Sequence, residues 1–117
     1  MARFEHLEAW RACHRLTIAV YEAAKLLPEY ERYGLSQQMR RDTVSVCANI
    51  AEGSAKRGPA EYRRFLDIAN GSMTELRCLL LLARDLRMLS DETWISVETV
   101  RRPAGYLLWR LLRSMDR

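Results

Sequence analysis

Two histidines, three cysteines and fifteen carboxylates are the side chains of this sequence best equipped for chemistry, and their spacing argues against most of it. His6 and His14 are the histidines, and the residues three positions before them are Arg3 and Arg11. Glu-x-x-His, the pair with which helical bundles hold two metal ions, is therefore absent. Cys13 and His14 are adjacent, so on a helix they project about 100° apart and cannot work as nucleophile and base. His14 falls on an apolar stripe and reads as a hydrogen-bonded core residue. Cys13, Cys47 and Cys78 are widely separated, with no C-x-x-C and no Cys/His cluster for zinc. They read as small core hydrophobes in a reducing, cytoplasmic compartment. The sequence has no Gly-rich phosphate loop, no G-x-S-x-G and no H-E-x-x-H. The expectation is a protein that is not an enzyme, with no cofactor, no metal and no small-molecule substrate.

Binding is the chemistry left. Nineteen basic residues against fifteen acidic ones give +4 and a pI near 9.2, and lysine appears only at Lys25 and Lys56. Arginine makes two-pronged bonds to phosphate and stacks on bases, so RNA or DNA is a candidate partner. The candidate residues are Arg40 and Arg41, then Lys56, Arg57, Arg63 and Arg64 with Tyr62, and finally Arg110, Arg113 and Arg117. None forms a recognised nucleic-acid motif, and an ordinary solvated face would look the same. A GC-rich coding bias would also raise Arg, Ala and Leu together.

The elements that must position these residues are helices. The composition is 49% hydrophobic and 29% charged, with five Gly and three Pro, which suits packed helices. A first helix is expected over about Leu7 to Leu27, on a stripe of Leu7, Trp10, His14, Thr17, Tyr21 and Ala24, stopped by Pro28. A second begins after Ser36 as N-cap and runs to about Gly53, on Met39, Thr43, Val46, Ile50 and Gly53. A third starts at Pro59 and keeps one apolar face from Tyr62 through Phe65, Leu66, Ala69, Met73, Leu76, Leu79, Leu80 and Ala83 to Leu86. Ser90 caps a fourth, which carries Trp94, Val97, Arg101, Ala104, Leu108, Leu111 and Met115, with a kink or break expected near Val100 because of Pro103. Short connections make consecutive helices antiparallel neighbours. The fold expected over residues 1–117 is one all-α domain, an antiparallel up-down-up-down four-helix bundle. The N-terminus has no apolar signal core, and the longest apolar run, Leu79 to Ala83, is too short for a membrane span.

Two features exceed what a lone bundle needs. Tyr106, Trp109 and Leu112 are displaced from the Leu108 and Leu111 line, and Ala9, Ala12, Leu16, Ala19 and Ala23 form a second line on the first helix. Surplus apolar surface of this kind predicts self-association through Leu16, Ala19, Tyr106, Trp109 and Leu112. Polar columns also face each other: Arg41, Ser45, Asn49 and Glu52 on the second helix, and Arg64, Asp67, Gly71, Glu75 and Cys78 on the third. Small residues at Ala48, Ala51, Gly53, Gly71 and Ser72 would let the backbones approach. Either a buried network of Ser45, Asn49, Glu52, Ser72 and Glu75 or a solvated face fits this spacing.

Four stretches carry a family resemblance: Phe4-x-x-Leu7-x-x-Trp10; Pro28-x-x-Glu31-x-Tyr33-Gly34-Leu35-x-x-Gln38-x-Arg40-Arg41; Ser45-x-x-x-Asn49-Ile50-Ala51-Glu52-Gly53; and Phe65-Leu66-x-Ile68-Ala69-x-Gly71-Ser72-x-x-Glu75-Leu76. Together they resemble the bacterial four-helix-bundle proteins encoded in intervening sequences of 23S rRNA genes, a family that includes accessory variability proteins of diversity-generating retroelements. The resemblance implies a homopentameric barrel of four-helix bundles without enzymatic activity. In the retroelement branch it also implies a basic surface for a reverse transcriptase and nucleic acid. The sequence-level expectation is a scaffold that binds itself and nucleic acid or a nucleoprotein through an Arg-rich surface. The alternative is a module for a polypeptide partner, such as a reverse transcriptase, with no direct nucleic-acid role.

Overall fold

The computed structural model describes residues 3–116. Four helices carry the fold: α1 (Glu8–Ala24), α2 (Leu35–Ser54), α3 (Pro59–Asp85) and α4 (Asp91–Arg113). Single turns of 3-10 helix at Arg3–His6 and Glu29–Glu31 precede α1 and α2. Each helix packs on two others in a closed ring, α1 against α2 and α4, and α3 against α2 and α4. This is the antiparallel bundle expected from the short connections. At 27 residues α3 is the longest helix, about 40 Å at 1.5 Å per residue, which accounts for the molecule's 43 Å long axis.

The core forms around the faces expected for α2, α3 and α4. Met39, Thr43, Val46, Ile50 and Gly53 are buried on α2, and Tyr62, Phe65, Leu66, Ala69, Met73, Leu76, Leu80 and Ala83 on α3. Leu79 is half-buried, but Leu86, expected on this face, is 53% exposed because α3 has ended before it. On α4, Val97, Arg101, Ala104 and Leu108 are buried. A fully buried Leu side chain stabilises the fold by roughly 1.5–3 kcal/mol, so Leu16, Leu66, Leu76, Leu80 and Leu108 are its main anchors.

Helix α1 is rotated from its expected orientation, and of its expected stripe only Ala24 is buried. Ala9, Ala12, Cys13, Leu16, Val20 and Ala23 face the core, while His14 and Tyr21 are exposed and Trp10 is half-buried. Both lines are apolar, and the one rich in alanine lets α1 lie close against its neighbours, leaving the rings at the rim. His14 is thus not a core residue; it stacks on Trp10 at 4.8 Å. Leu16 has no exposed surface and belongs to the core, so it is withdrawn from the self-association face.

Helix termini follow local chemistry. α2 begins at Leu35 with Gly34 as N-cap, two residues earlier than Ser36 would give. The Glu31 carboxylate accepts from Leu35 N–H at 3.0 Å and satisfies an early orphan donor. Ser36 instead donates to the Ala24 carbonyl at 3.1 Å, tying α2 to the end of α1. Gly58 precedes α3 with φ 84°, a backbone that favours glycine. Ser90 caps α4 as expected, its Oγ accepting from Thr93 N–H at 3.1 Å. The break expected near Val100 is absent: α4 runs unbroken with Pro103 inside it.

Candidate nucleic-acid interface

The up-down path of the chain gives the bundle two chemically different ends. One holds the α2–α3 connection with Lys56 and Arg57, the first turns of α3 with Arg63 and Arg64, and the last turn of α4 with Arg110 and Arg113. Arg3 joins this end, where its Nη1 donates to the Ser54 carbonyl at 3.2 Å and its guanidinium lies 5.8 Å from the Tyr62 ring centroid. Sequence reasoning missed Arg3, because nothing in local spacing shows that the chain start folds against the end of α2. The opposite end holds Glu22, Glu29, Glu31, Asp85, Asp91 and Glu92 beside Lys25, Arg32, Arg84 and Arg87, and the basic end has carboxylates of its own in Glu5, Glu8, Glu52, Glu61 and Asp116, so the two ends differ in the balance of charge.

The basic end is laced together. Asp116 pairs with Arg63 of α3 and with Arg113 of α4, the latter at 3.5 Å, and so links α3 to the chain segment after α4. Arg63 also faces Asp67 at 3.9 Å, and Arg64 pairs with Glu61 at 3.4 Å. Lys56 and Arg64 both lie over the Phe65 ring, 5.2 and 4.6 Å from its centroid, and Arg113 lies 5.4 Å from that of Trp109. These contacts are solvent-exposed, so they orient the side chains more than they stabilise the fold. Arg57 and Arg110 are exposed, and no ion pair involves them among the described residues. Arg117 lies outside the described residues. Arg40 and Arg41 are elsewhere, on the α1–α2 side; Arg40 donates to Ser36 Oγ at 2.8 Å.

The polar network between α2 and α3 differs in membership from the expected one. Ser45 and Ser72 share a hydroxyl bond at 2.8 Å across the pair, and Asn49 donates to the Ser45 carbonyl at 2.8 Å. Gln38 donates to Glu75 at 2.7 Å and to Asp42 at 3.0 Å. Ser45, Asn49 and Ser72 are therefore brought together, while Glu75 joins Gln38 and Asp42 in a separate group. Glu52 is exposed, and no hydrogen bond joins it to the column among the described residues. The actual α2 column is Gln38, Asp42, Ser45 and Asn49, whose spacing of four, three and four was legible; choosing Arg41 as its first member hid Asp42. Asp42 is 5% exposed. Burial is the main cause pushing its carboxyl up to about 6; the Gln38 bond opposes this, and the Glu75 charge adds to it.

Cys13 is buried, Cys47 half-buried and Cys78 exposed, which corrects the reading of all three as core residues. Cys78 extends the outward α3 column of Gly71 and Glu75. Among the described residues no group of His, Cys, Asp and Glu could hold a metal ion, and no helix is long and apolar enough to cross a membrane.

Fold and surface together define a small all-α bundle protein whose distinctive chemistry is arginine at one end and on one flank. Residues 5–101 match the 23S rRNA-intervening sequence protein family, and the chain belongs to that family. A solved structure of a protein of unknown function from the S23 ribosomal protein family of Bacteroides thetaiotaomicron is similar to it, at 20% sequence identity. The match has a TM-score of 0.80 and covers 90% of this chain and 95% of that one. No curated protein matches the chain.

Proposed function

We propose that the chain is a non-catalytic, homo-oligomeric binding protein whose basic end engages nucleic acid or a nucleoprotein. One observation carries this reading: cations from the chain start, the α2–α3 connection and the end of α4 gather at one end of the bundle, where they outnumber the carboxylates. Cations converging from separate segments concentrate positive potential where a phosphate could dock, and Arg57 and Arg110 are exposed there with no ion pair among the described residues. Self-association would multiply the effect, since five copies at +4 each would create a substantial field. The exposed Tyr106 and Trp109 rings, 57% and 48% accessible, support such an assembly.

Electrophoretic binding of structured RNA and DNA across a salt series tests the reading. Affinity is expected to fall steeply with salt, and Arg57→Glu with Arg110→Glu to weaken it at every salt concentration. Binding that ignores salt, or none, would overturn it.

A second reading also has a specific observation behind it. Arg63, Arg64 and Arg113 already face carboxylates, and a surface so balanced suits a polypeptide partner, such as a reverse transcriptase, as well as phosphate. That reading expects a protein that co-purifies and survives nuclease treatment.

A further inference from the structure

Four grooves on this surface have a carboxylate in their wall. Asp85 and Asp91 line the one at the α3–α4 turn, Glu8 the one between α1 and the end of α4, Glu98 the one along α4, and Glu22 and Glu92 the one between α1 and the start of α4. The groove between α1 and α2 differs. Its volume is about 440 Å³, and it is lined by Tyr21, Gln37, Arg40, Arg41, Val44 and Ser45, with two guanidinium groups, an aromatic ring and no carboxylate.

Its parts are set for an anion that carries a ring. Arg40 is held in place: its Nη1 donates to Ser36 Oγ at 2.8 Å and its Nη2 reaches the Arg32 carbonyl at 3.5 Å. Ser36 is 4% exposed and is itself fixed to the Ala24 carbonyl. Guanidinium has five N–H donors, so this anchoring leaves others for a ligand. Arg41 is exposed, with no hydrogen bond or ion pair among the described residues. Tyr21 is 41% exposed and Val44 45%, so a ring face and an apolar floor lie beside the two cations.

We propose that this groove holds one nucleotide of a single strand, its phosphate on Arg40 and Arg41 and its base on Tyr21 and Val44. The inference deepens the nucleic-acid reading above and rests on it. A base can reach a side-chain ring only when it is unpaired and unstacked, so the ligand is single-stranded and not duplex. The groove is also separate from the basic end. Arg41 to Ser54 is thirteen helical steps, about 20 Å, too far for one nucleotide to touch both.

The test is a fluorescence titration with a short single-stranded RNA, the same RNA as a duplex, and adenosine monophosphate as competitor. Tyr21→Ala is expected to weaken the single strand about tenfold and leave the duplex unchanged, with Tyr21→Phe restoring affinity. Arg41→Gln is expected to reduce the slope of log affinity against log salt by about one. Both positions are exposed, and circular dichroism is expected to show unchanged helicity; should Tyr21→Ala unfold, Tyr21→Phe and Arg41→Gln still carry the test. Competition by the monophosphate would support the same chemistry with a free nucleotide as its source, and failure to compete alongside a Tyr21 effect would support a strand. Unchanged single-strand affinity in Tyr21→Ala and Arg41→Gln, with loss in Arg57→Glu and Arg110→Glu, would overturn the groove and leave the basic end standing. Absence of binding to either RNA would overturn both.

Discussion

Asp42 has one oxygen bonded to Gln38 and the other, Oδ2, buried without a donor. A proton held by the Asp42 carboxyl itself would let that oxygen donate towards the neighbouring Glu75. With the folded carboxyl titrating at about 6 against an ordinary 3.8, the folded chain holds a proton that the unfolded chain has released between those values. Stability from this group is therefore greatest below about pH 4 and declines as pH rises through 6. The expected loss is on the order of 1–3 kcal/mol. Asp42→Asn keeps the shape and cannot ionise, so urea unfolding between pH 4 and 7 should show a flatter profile and a variant no less stable than the parent at pH 7. A steeper decline in the variant would refute the proton held on Asp42. Cysteine reactivity follows the same logic of burial. The Cys13 thiol is pushed up to about 12 by burial and then by Cys47, whereas Cys78 is exposed. Iodoacetamide at mildly alkaline pH should label Cys78 in the native protein and reach Cys13 only on unfolding, as peptide mass mapping would show.

Between elements, the α2–α3 contact depends on one glycine and is indifferent to another. A Cβ at Gly53 would lie 2.8 Å from Phe65 Cβ and 3.1 Å from Tyr62 Cδ1, whereas one at Gly71 would meet nothing within 4 Å. Helix propensity alone favours Gly→Ala by roughly 0.5–1 kcal/mol. At Gly71 that gain should appear. At Gly53 overpacking should exceed it and give a net loss of about 1–3 kcal/mol. Opposite signs in chemical denaturation are the expected result, and a stabilising Gly53→Ala would disprove the close approach. The sequence had grouped both glycines together, because spacing shows which residues share a face and not how near the next helix lies. The same limit explains the other differences. α2 and α3 each have one dominant stripe and were legible from periodicity, and Ser90 was legible as a cap from its own chemistry. α1 has two apolar lines, and choosing between them depends on the shape of α4 and α2. The α2 start turned on Glu31, a side chain outside the helix, which a search for Ser or Asp at the boundary passes over.

Across the whole molecule, charge separation was the feature least visible in advance. Arg3, Arg57 and Arg110 are far apart in sequence and share an end only because an even number of helices, two and then four, returns the chain to it. The candidate arginines were legible as residues, but their division into a basic end and a separate α1–α2 groove needed the topology. The proposed assembly is the property of the whole particle most open to test, and core and surface predict opposite failures. Tyr106 and Trp109 stack at 6.0 Å on the outside of α4, beside Arg113, so replacing Trp109 removes little from a single chain, within about 0.5 kcal/mol for an exposed site. Sedimentation of the parent at micromolar concentration should give a multiple of 13.7 kDa, and Trp109→Glu should shift it toward a single chain with helicity intact. Leu16→Glu should do the reverse, melting the helices at any concentration, because the charge has no exposed surface to escape to. If Trp109→Glu unfolds the chain, or leaves a multimer unchanged, the α4 face is not the contact. If the parent sediments as a single 13.7 kDa chain, the assembly itself is refuted.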